Sequence, residues 1–336
     1  MKAKAVYAVA KDTVELKDFD IDEAQLEPKQ MLVKTHYSLI SPGTELDCVS
    51  GKESSWFHFP QQLGYCSAGE IAVAGGAVSD YAKGDVVLTQ TSHASHHLID
   101  ADLIRTKVRA SIPPNIAVWT HMALISMTAL RASRADLGDT AVVLGQGIVG
   151  NFAAQLFRAQ GCRVIAVDRI ASRLDIAKRC GIEMVVDASA EDAVEAVKKL
   201  TDGRGAEVIV EATGIAAVAL NAIDMAAQNA EMIQLGTPRG SYEADVAPLL
   251  RAVHRASPNV TLKGAHGGSI PAAPNQFMKH SLARNARIIL DMIERGEFRV
   301  EPLLTRTITP EEAPQVYREL RDRPESSLGF ILDWTG

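Results

Sequence analysis

Gly145, Gly147 and Gly150 stand directly after a short apolar run, Ala141 to Leu144, and before a helical pattern carrying Phe152, Leu156 and Phe157. A buried parallel strand needs such a run. In the G-x-G-x-x-G spacing the first glycine allows a tight turn. The second lets backbone approach a pyrophosphate, and the third lets the helix pack on the strand. The N–H groups of Ile148 and Val149, opening that helix, would face the phosphates. A second apolar run, Val164 to Val167, ends at Asp168, eighteen positions past Gly150. A carboxylate there accepts both ribose hydroxyls of an adenosine and repels a 2′-phosphate. A glycine-rich turn alone is weak evidence, because any α/β domain can supply one. Strand, glycines, helix, second strand and acid in this order point to NAD, in preference to NADP. Arg169 and Arg173 flank the expected adenosine pocket and could tolerate a 2′-phosphate, but Asp168 argues for NAD.

The rest of the composition narrows the class. With 336 residues there is room for two domains and ample core. Hydrophobic residues make up 47% and charged residues 23%, ordinary values for a soluble enzyme. A net charge of −6 gives no support to nucleic acid or an anionic membrane as partner. No apolar run approaches the ~20 residues of a spanning helix. The start, Met1 to Asp12, is too short and alternating for a signal peptide and reads as a first strand. Cys48, Cys66, Cys162 and Cys180 are scattered without a C-x-x-C, which suits a reducing cytoplasm.

The elements that must position these residues follow from the patterning. Residues 1 to about 115 read as many short strands with glycine punctuation: Ala3–Val9, Thr13–Phe19, Met31–Ser38, Gly69–Val73 and Val86–Leu88. At Ile112-Pro113-Pro114 the pattern changes, and Ile116 to Ala135 reads as one long helix. Strands and helices then alternate: helix 172–180, strand 184–187, helix 190–200, strand 208–211, helix 215–227 and strand 232–235. Residues 259–263 close a doubly wound parallel sheet. After Pro271–Pro274 the tail reads as helix 280–295, strand 303–308, helix 310–321 and strand 328–333. It is too short to stand alone and is expected to pack on the N-terminal β-structure. The expected domains are therefore residues 1–115 with 272–336, and an inserted nucleotide domain, 116–271.

This order resembles the medium-chain dehydrogenase/reductase superfamily over almost the whole chain. The matching segments are Gly64-x-x-x-Ala68-Gly69-Glu70, Gly84–Val87, Gly138–Gly150, Gly205–Gly214, Leu235–Pro238 and Thr261–Gly264. The resemblance implies a chaperonin-10-like, β-rich catalytic domain, an inserted Rossmann domain and an active site in the cleft between them. It also implies hydride transfer between a nicotinamide and an alcohol, aldehyde, ketone or enone. The turn Ser38–Glu45 resembles that of bacteriochlorophyllide a dehydrogenase and of related two-domain oxidoreductases of carbohydrate clusters.

Most alcohol dehydrogenases of this superfamily hold a catalytic zinc. Here Ser41 or Pro42 stands where the thiolate ligand would be, Gly64-Tyr65-Cys66 replaces Gly-His-Glu, and the third ligand aligns near Leu124. A zinc site needs three or four converging N, S or O donors, so no metal is expected. The four-cysteine structural lobe is missing too.

Without zinc, side chains must stabilise the charge that hydride transfer builds on oxygen. By resemblance Thr44 occupies the position of the proton-passing hydroxyl, and Asp47 that of a relay histidine. Tyr65 offers a phenol at the lost ligand position. The expectation is that Thr44 and Tyr65 bind the substrate oxygen while Asp47 or water carries the proton outward; a turn hydroxyl and a cleft-packing ring are the plainer alternatives. His93, His96 and His97 fit surface or packing roles better than a metal site. For the cofactor, resemblance assigns Ala212, Thr213 and Gly214 to the adenine and ribose side, and Leu235, Gly236 and Thr237 to the nicotinamide. It places Thr128, at the start of the connecting helix, on the nicotinamide ring, and leaves His266 as a substrate or cofactor contact.

The sequence thus reads as a zinc-independent, NAD(H)-linked oxidoreductase of a secondary alcohol or ketone: a polyol, sugar or specialised metabolite. Two alternatives stay open, an NADPH-linked quinone or enone reductase and a non-catalytic NAD-binding protein. Resemblance suggests a homodimer or homotetramer pairing around Val260-Thr261-Leu262.

Overall fold

The computed structural model describes residues 1–52 and 56–336. The chain divides into two compact units. The first comprises Met1–His121, Pro271–Gly296 and Leu303–Gly336; the second comprises Met122–Ile270 and Glu297–Pro302. The fold is mixed α/β, with a parallel Rossmann-type sheet in the second unit and separate β-rich structure in the first.

In the second unit the strands Met184–Asp187, Arg163–Asp168, Thr140–Leu144, Ala206–Glu211, Ala226–Gln234 and Thr261–Gly264 lie side by side in that order, all parallel. The strand that comes first in the chain lies third, so the order reverses between Thr140–Leu144 and Ala206–Glu211. Ligands bind at such a switch point, beyond the carboxyl ends of the strands. Successive residues of the central strand serve opposite faces. Ala141 and Val143 pack with Ala153 and Phe157, whereas Val142 and Leu144 pack with Val197 and Ile223. Both faces are covered, which is why the strand reads as an unbroken apolar run.

The first unit holds a three-stranded antiparallel sheet, ordered Thr13–Asp20, Lys2–Ala10, Gln61–Gln62, and a larger mixed sheet. The long strand Gln30–Leu39 lies inside the larger sheet. Ser67–Ala74 pairs with it along one edge, and His96–Asp100 and Gly329–Asp333 pair with different stretches of it. The chain's last strand, Gly329–Asp333, is thereby set against the strand that leads into Ser38–Glu45. Ile40, Leu63, Val316, Leu320, Phe330 and Leu332 form the core around this point.

Several elements differ from the sequence expectation. The single helix expected over 116–135 is two, Pro114–Ala117 and Thr120–Ala132. Trp119 N bonds back only three residues, to Ile116 O at 3.3 Å, and its indole lies against Gly329, so the chain re-starts at Thr120. Residues 116–121 accordingly group with the first unit. The helix expected over 215–227 stops at Asn221, because pairing of Ala226 with Ala206 draws residues 226–227 into the sheet. A helix at Ala247–His254, not anticipated, packs Leu249 and Ala252 on the sheet. Residues 297–302 join the second unit: Gln155 exchanges two hydrogen bonds with the Arg299 backbone (2.8 and 2.9 Å), and Phe298 packs on Phe152 at 4.8 Å.

Candidate active site

In the second unit, Gly145 ends the central strand with φ 88°, a conformation that favours glycine. A Cβ on Gly150 would strike the Gly145 carbonyl oxygen. The turn therefore closes directly on the helix Ile148–Gln160, whose N-cap is Gly147. A Cβ on Gly147 would meet nothing within 4 Å, so this glycine faces open space where a pyrophosphate can approach. Asp168 is 9% exposed at the end of the next strand. Its carboxylate accepts Gln146 N at 2.6 Å and Ile170 N at 2.9 Å, bracing the glycine turn while keeping lone pairs for ribose hydroxyls.

Glu211, fully buried at the end of its strand, organises the facing loops. It accepts Thr213 N (2.7 Å), the Thr213 hydroxyl, Gly214 N (3.0 Å) and Gln234 Nε2 (2.7 Å). Gln234 also donates to Gly236 O at 2.6 Å. One carboxylate so fixes both 212–214 and 235–237, the loops expected to line the cofactor. These groups fit a dinucleotide: open backbone at Gly147, an acid for ribose, and braced loops around them.

In the first unit, strand Gln30–Leu39 runs into the helix Pro42–Val49, with Ser41 as N-cap and Pro42 at the first helical position. Ser41 Oγ lies 2.5 Å from the Tyr65 hydroxyl, and the Thr44 side chain also hydrogen-bonds that phenol. Burial, first of all, holds the phenol well above its ordinary pKa, so it stays protonated and able to donate.

Glu45 turns back under this cluster, 2% exposed. It accepts Ser41 N at 2.6 Å through Oε1, and His93 Nε2 (3.0 Å) and the Tyr317 hydroxyl through Oε2. With Nε2–H committed to a carboxylate, His93 Nδ1 takes the Ser38 hydroxyl at 2.8 Å, and Ser38 Oγ accepts Trp334 Nε1–H at 2.9 Å. A Cβ on Gly64 would stand 2.6 Å from the His93 ring, so only glycine lets the imidazole sit beneath Tyr65.

This donor set does not fit a zinc at the position the superfamily uses. The Ser41 and Tyr65 oxygens are bonded to each other, both Glu45 oxygens are engaged, and the Cys66 thiol is pushed well above its usual pKa by burial and then by Glu45. Among the described residues there is no group of three His, Cys, Asp or Glu side chains able to hold a metal.

Of the residues expected to be catalytic, the structure brings Thr44 and Tyr65 together. Asp47 lies on the same helix, its carbonyl accepting Ser50 Oγ and Lys52 N at 3.0 Å; the acid that reaches the cluster is Glu45. Thr128 needs correction. It sits in the second half of its helix, 2% exposed, donating to Ile125 O at 2.6 Å as a mid-helix threonine hydroxyl does when it bonds back to the preceding turn. His266 is exposed and caps a short turn, its Nδ1 accepting Gly268 N at 3.1 Å. Arg169 is exposed and Arg173 partly buried beside Asp168's strand end. His93, expected at the surface or as packing, is fully buried in the Glu45 network.

Sequence reasoning passed over Glu45, Glu211 and Tyr317. The available signal was an acid sharing a helix face with Cys48 and Val49, three and four residues on. For Glu211 it was an acid closing an otherwise apolar strand.

A family model described as zinc-binding dehydrogenase matches residues 149–282. D-guloside 3-dehydrogenase of Shigella flexneri is 29% identical over 278 residues, covering 80% of this chain and 76% of that protein. The structure of galactitol-1-phosphate dehydrogenase from Escherichia coli has the same fold, with a TM-score of 0.84 at 17% identity over 98% of this chain and 99% of the other. So does a zinc-binding dehydrogenase of Sinorhizobium meliloti 1021 bound to NADP, at 0.81 and 21% over 99% of each chain.

Proposed function

Because this chain belongs to the medium-chain dehydrogenase/reductase superfamily, and is an NAD(P)-dependent oxidoreductase of alcohols, we propose that it interconverts a secondary alcohol and a ketone on a polyol or sugar, with NAD(H) and without zinc. The observation that carries this reading is the hydroxyl cluster: Ser41 and Thr44 both hydrogen-bond Tyr65, with Ser41 and Tyr65 at positions where the resemblance puts zinc ligands and Thr44 where it puts the proton-passing hydroxyl. The family model named for zinc matches only residues 149–282, which lie outside Ser38–Cys66.

When bound, a nicotinamide supplies hydride exchange with the carbon that bears the reacting oxygen. The chain's own work is to hold that oxygen and move its proton. In reduction, the Tyr65 phenol donates to the oxygen as negative charge grows there, and its proton follows onto the alkoxide. Ser41 Oγ, 2.5 Å away, passes a proton to the phenol as it takes one from water, so that both hydroxyls end neutral. In oxidation the same bonds run in reverse. Glu45 keeps Ser41 in place through its backbone N–H and takes no proton in either direction.

Asp168 supports NAD over NADP, since its carboxylate would repel a 2′-phosphate. A second copy of the chain is the expected partner. The sheet ends at Thr261–Gly264, and Leu262 (46% exposed) presents apolar surface on that edge strand. Among the described residues no helix is long and apolar enough to cross a membrane.

Kinetics test the reading. NADH-dependent reduction of a polyol-derived ketone panel by protein whose metal content is measured should proceed without stoichiometric zinc. Reduction of an enone's C=C bond with NADPH, and no ketone turnover, would replace this reading with that of an enone reductase.

A further inference from the structure

His121 is 8% exposed, and its Nδ1 is buried without a hydrogen-bond partner. Its ring meets the Tyr65 ring edge to face, centroids 5.5 Å apart. Leaving a buried ring nitrogen unsatisfied costs about 1–3 kcal/mol, and such an atom beside a reacting group is where a ligand's polar atom returns that cost. The surroundings define the ligand. Arg105, 6% exposed, is the charged side chain that acts on His121, with its guanidinium bonded to Asp102 O and the Gln90 side chain. Burial first, and Arg105 second, lower the His121 pKa to about 3, so the imidazole is neutral at working pH. A neutral imidazole offers no charge to a carboxylate or phosphate. A hydroxyl, which both donates and accepts, satisfies Nδ1 in either tautomer.

On the reading that Tyr65 holds the reacting oxygen, we propose that His121 is a specificity-determining contact: its unpartnered Nδ1 takes the hydroxyl on the neighbouring carbon. The preferred substrates are then vicinal diols and α-hydroxy ketones. A site built to bond a substrate hydroxyl rejects the analogue lacking it, because the site's own polar atom is otherwise stranded.

The test compares 2,3-butanediol with 2-butanol, and acetoin with 2-butanone, on NAD(H)-loaded wild type, His121→Leu and His121→Asn. Both kcat/KM and calorimetric binding are measured. Wild type should favour the diol and the hydroxy ketone by about 10-fold or more, of the size that one hydrogen bond to a neutral group supports. His121→Leu should bring that ratio near one. His121→Asn, which keeps a donor and an acceptor, should retain part of the preference and guards against a folding defect. NADH affinity and melting temperature identify intact variants. Equal wild-type ratios, or an undiminished ratio in folded His121→Leu, overturn the inference. Failure of wild type to turn over any ketone overturns the underlying reading instead.

Discussion

Two buried glutamates do similar work in the two units, and their partners lie at very different distances along the chain. Glu211 braces loops from its own strand end: its partners Thr213, Gly214 and Gln234 lie 2, 3 and 23 residues away. Glu45 braces the hydroxyl cluster with His93 and Tyr317, 48 and 272 residues away. The dinucleotide site is a backbone device, made of glycines and strand ends whose spacing is local. The hydroxyl cluster is a side-chain device, assembled from strand, helix and tail.

The largest expected effect separates chemistry from cofactor binding. Tyr65→Phe should lower kcat by about 100-fold or more, the scale for losing one oxyanion donor. NADH affinity, set in the other unit, should stay within about twofold. Loss of NADH affinity in that variant would break the proposed division of labour.

Next comes the Glu45 network. Glu45→Leu strands His93, Tyr317 and Ser41 N in the core, and should cost about 3 kcal/mol or more of stability in denaturant titration, at about 1–3 kcal/mol for each stranded donor. Glu45→Gln can keep part of the hydrogen bonding and should cost less. Equal, negligible losses in both would show that the network contributes little.

A change at Asp168 should act on cofactor choice beyond its loosening of the glycine turn. Asp168→Asn removes the charge facing a 2′-phosphate and should shift the NADH-to-NADPH ratio of kcat/KM toward NADPH by about 10-fold, in line with a loss of about 1.4 kcal/mol. An unchanged ratio would place specificity elsewhere, with Arg169 and Arg173 the first residues to examine.

The last expected effect is on pH. His97 and His121 are held near pKa 4 and 3 by burial, below their ordinary 6.5. The unfolded chain therefore binds more protons than the folded one between those values, and stability rises with pH across that window. It is fully present above about 6.5 and falls by at most about 1.4 kcal/mol per pH unit for each histidine as pH drops toward 4. His97→Asn should flatten the slope of melting temperature between pH 4.5 and 6.5.

Much of the fold was legible because its signals are periodic. Ala141–Leu144 and Val164–Val167 read as buried strands, and Asp168 closes the second of them. The glycine turn was legible because sterics leave little else possible at Gly145 and Gly150. What escaped was decided by distant contacts. Trp119 on Gly329 broke a helix that local pattern made continuous, and Ala226 left its helix to pair with Ala206. Thr44 and Tyr65 could be singled out by resemblance, but Glu45, Tyr317 and His121 acquire meaning only when the tail strand and the Thr120 turn bring them into place.

Zinc analysis by plasma emission, run in parallel with ketone turnover on the same preparation before and after chelation, tests most directly whether hydroxyls have taken over the metal's task. The account predicts active protein with far less zinc than chains, and a rate that chelation leaves unchanged. A stoichiometric zinc whose removal abolishes turnover and whose return restores it would contradict the account.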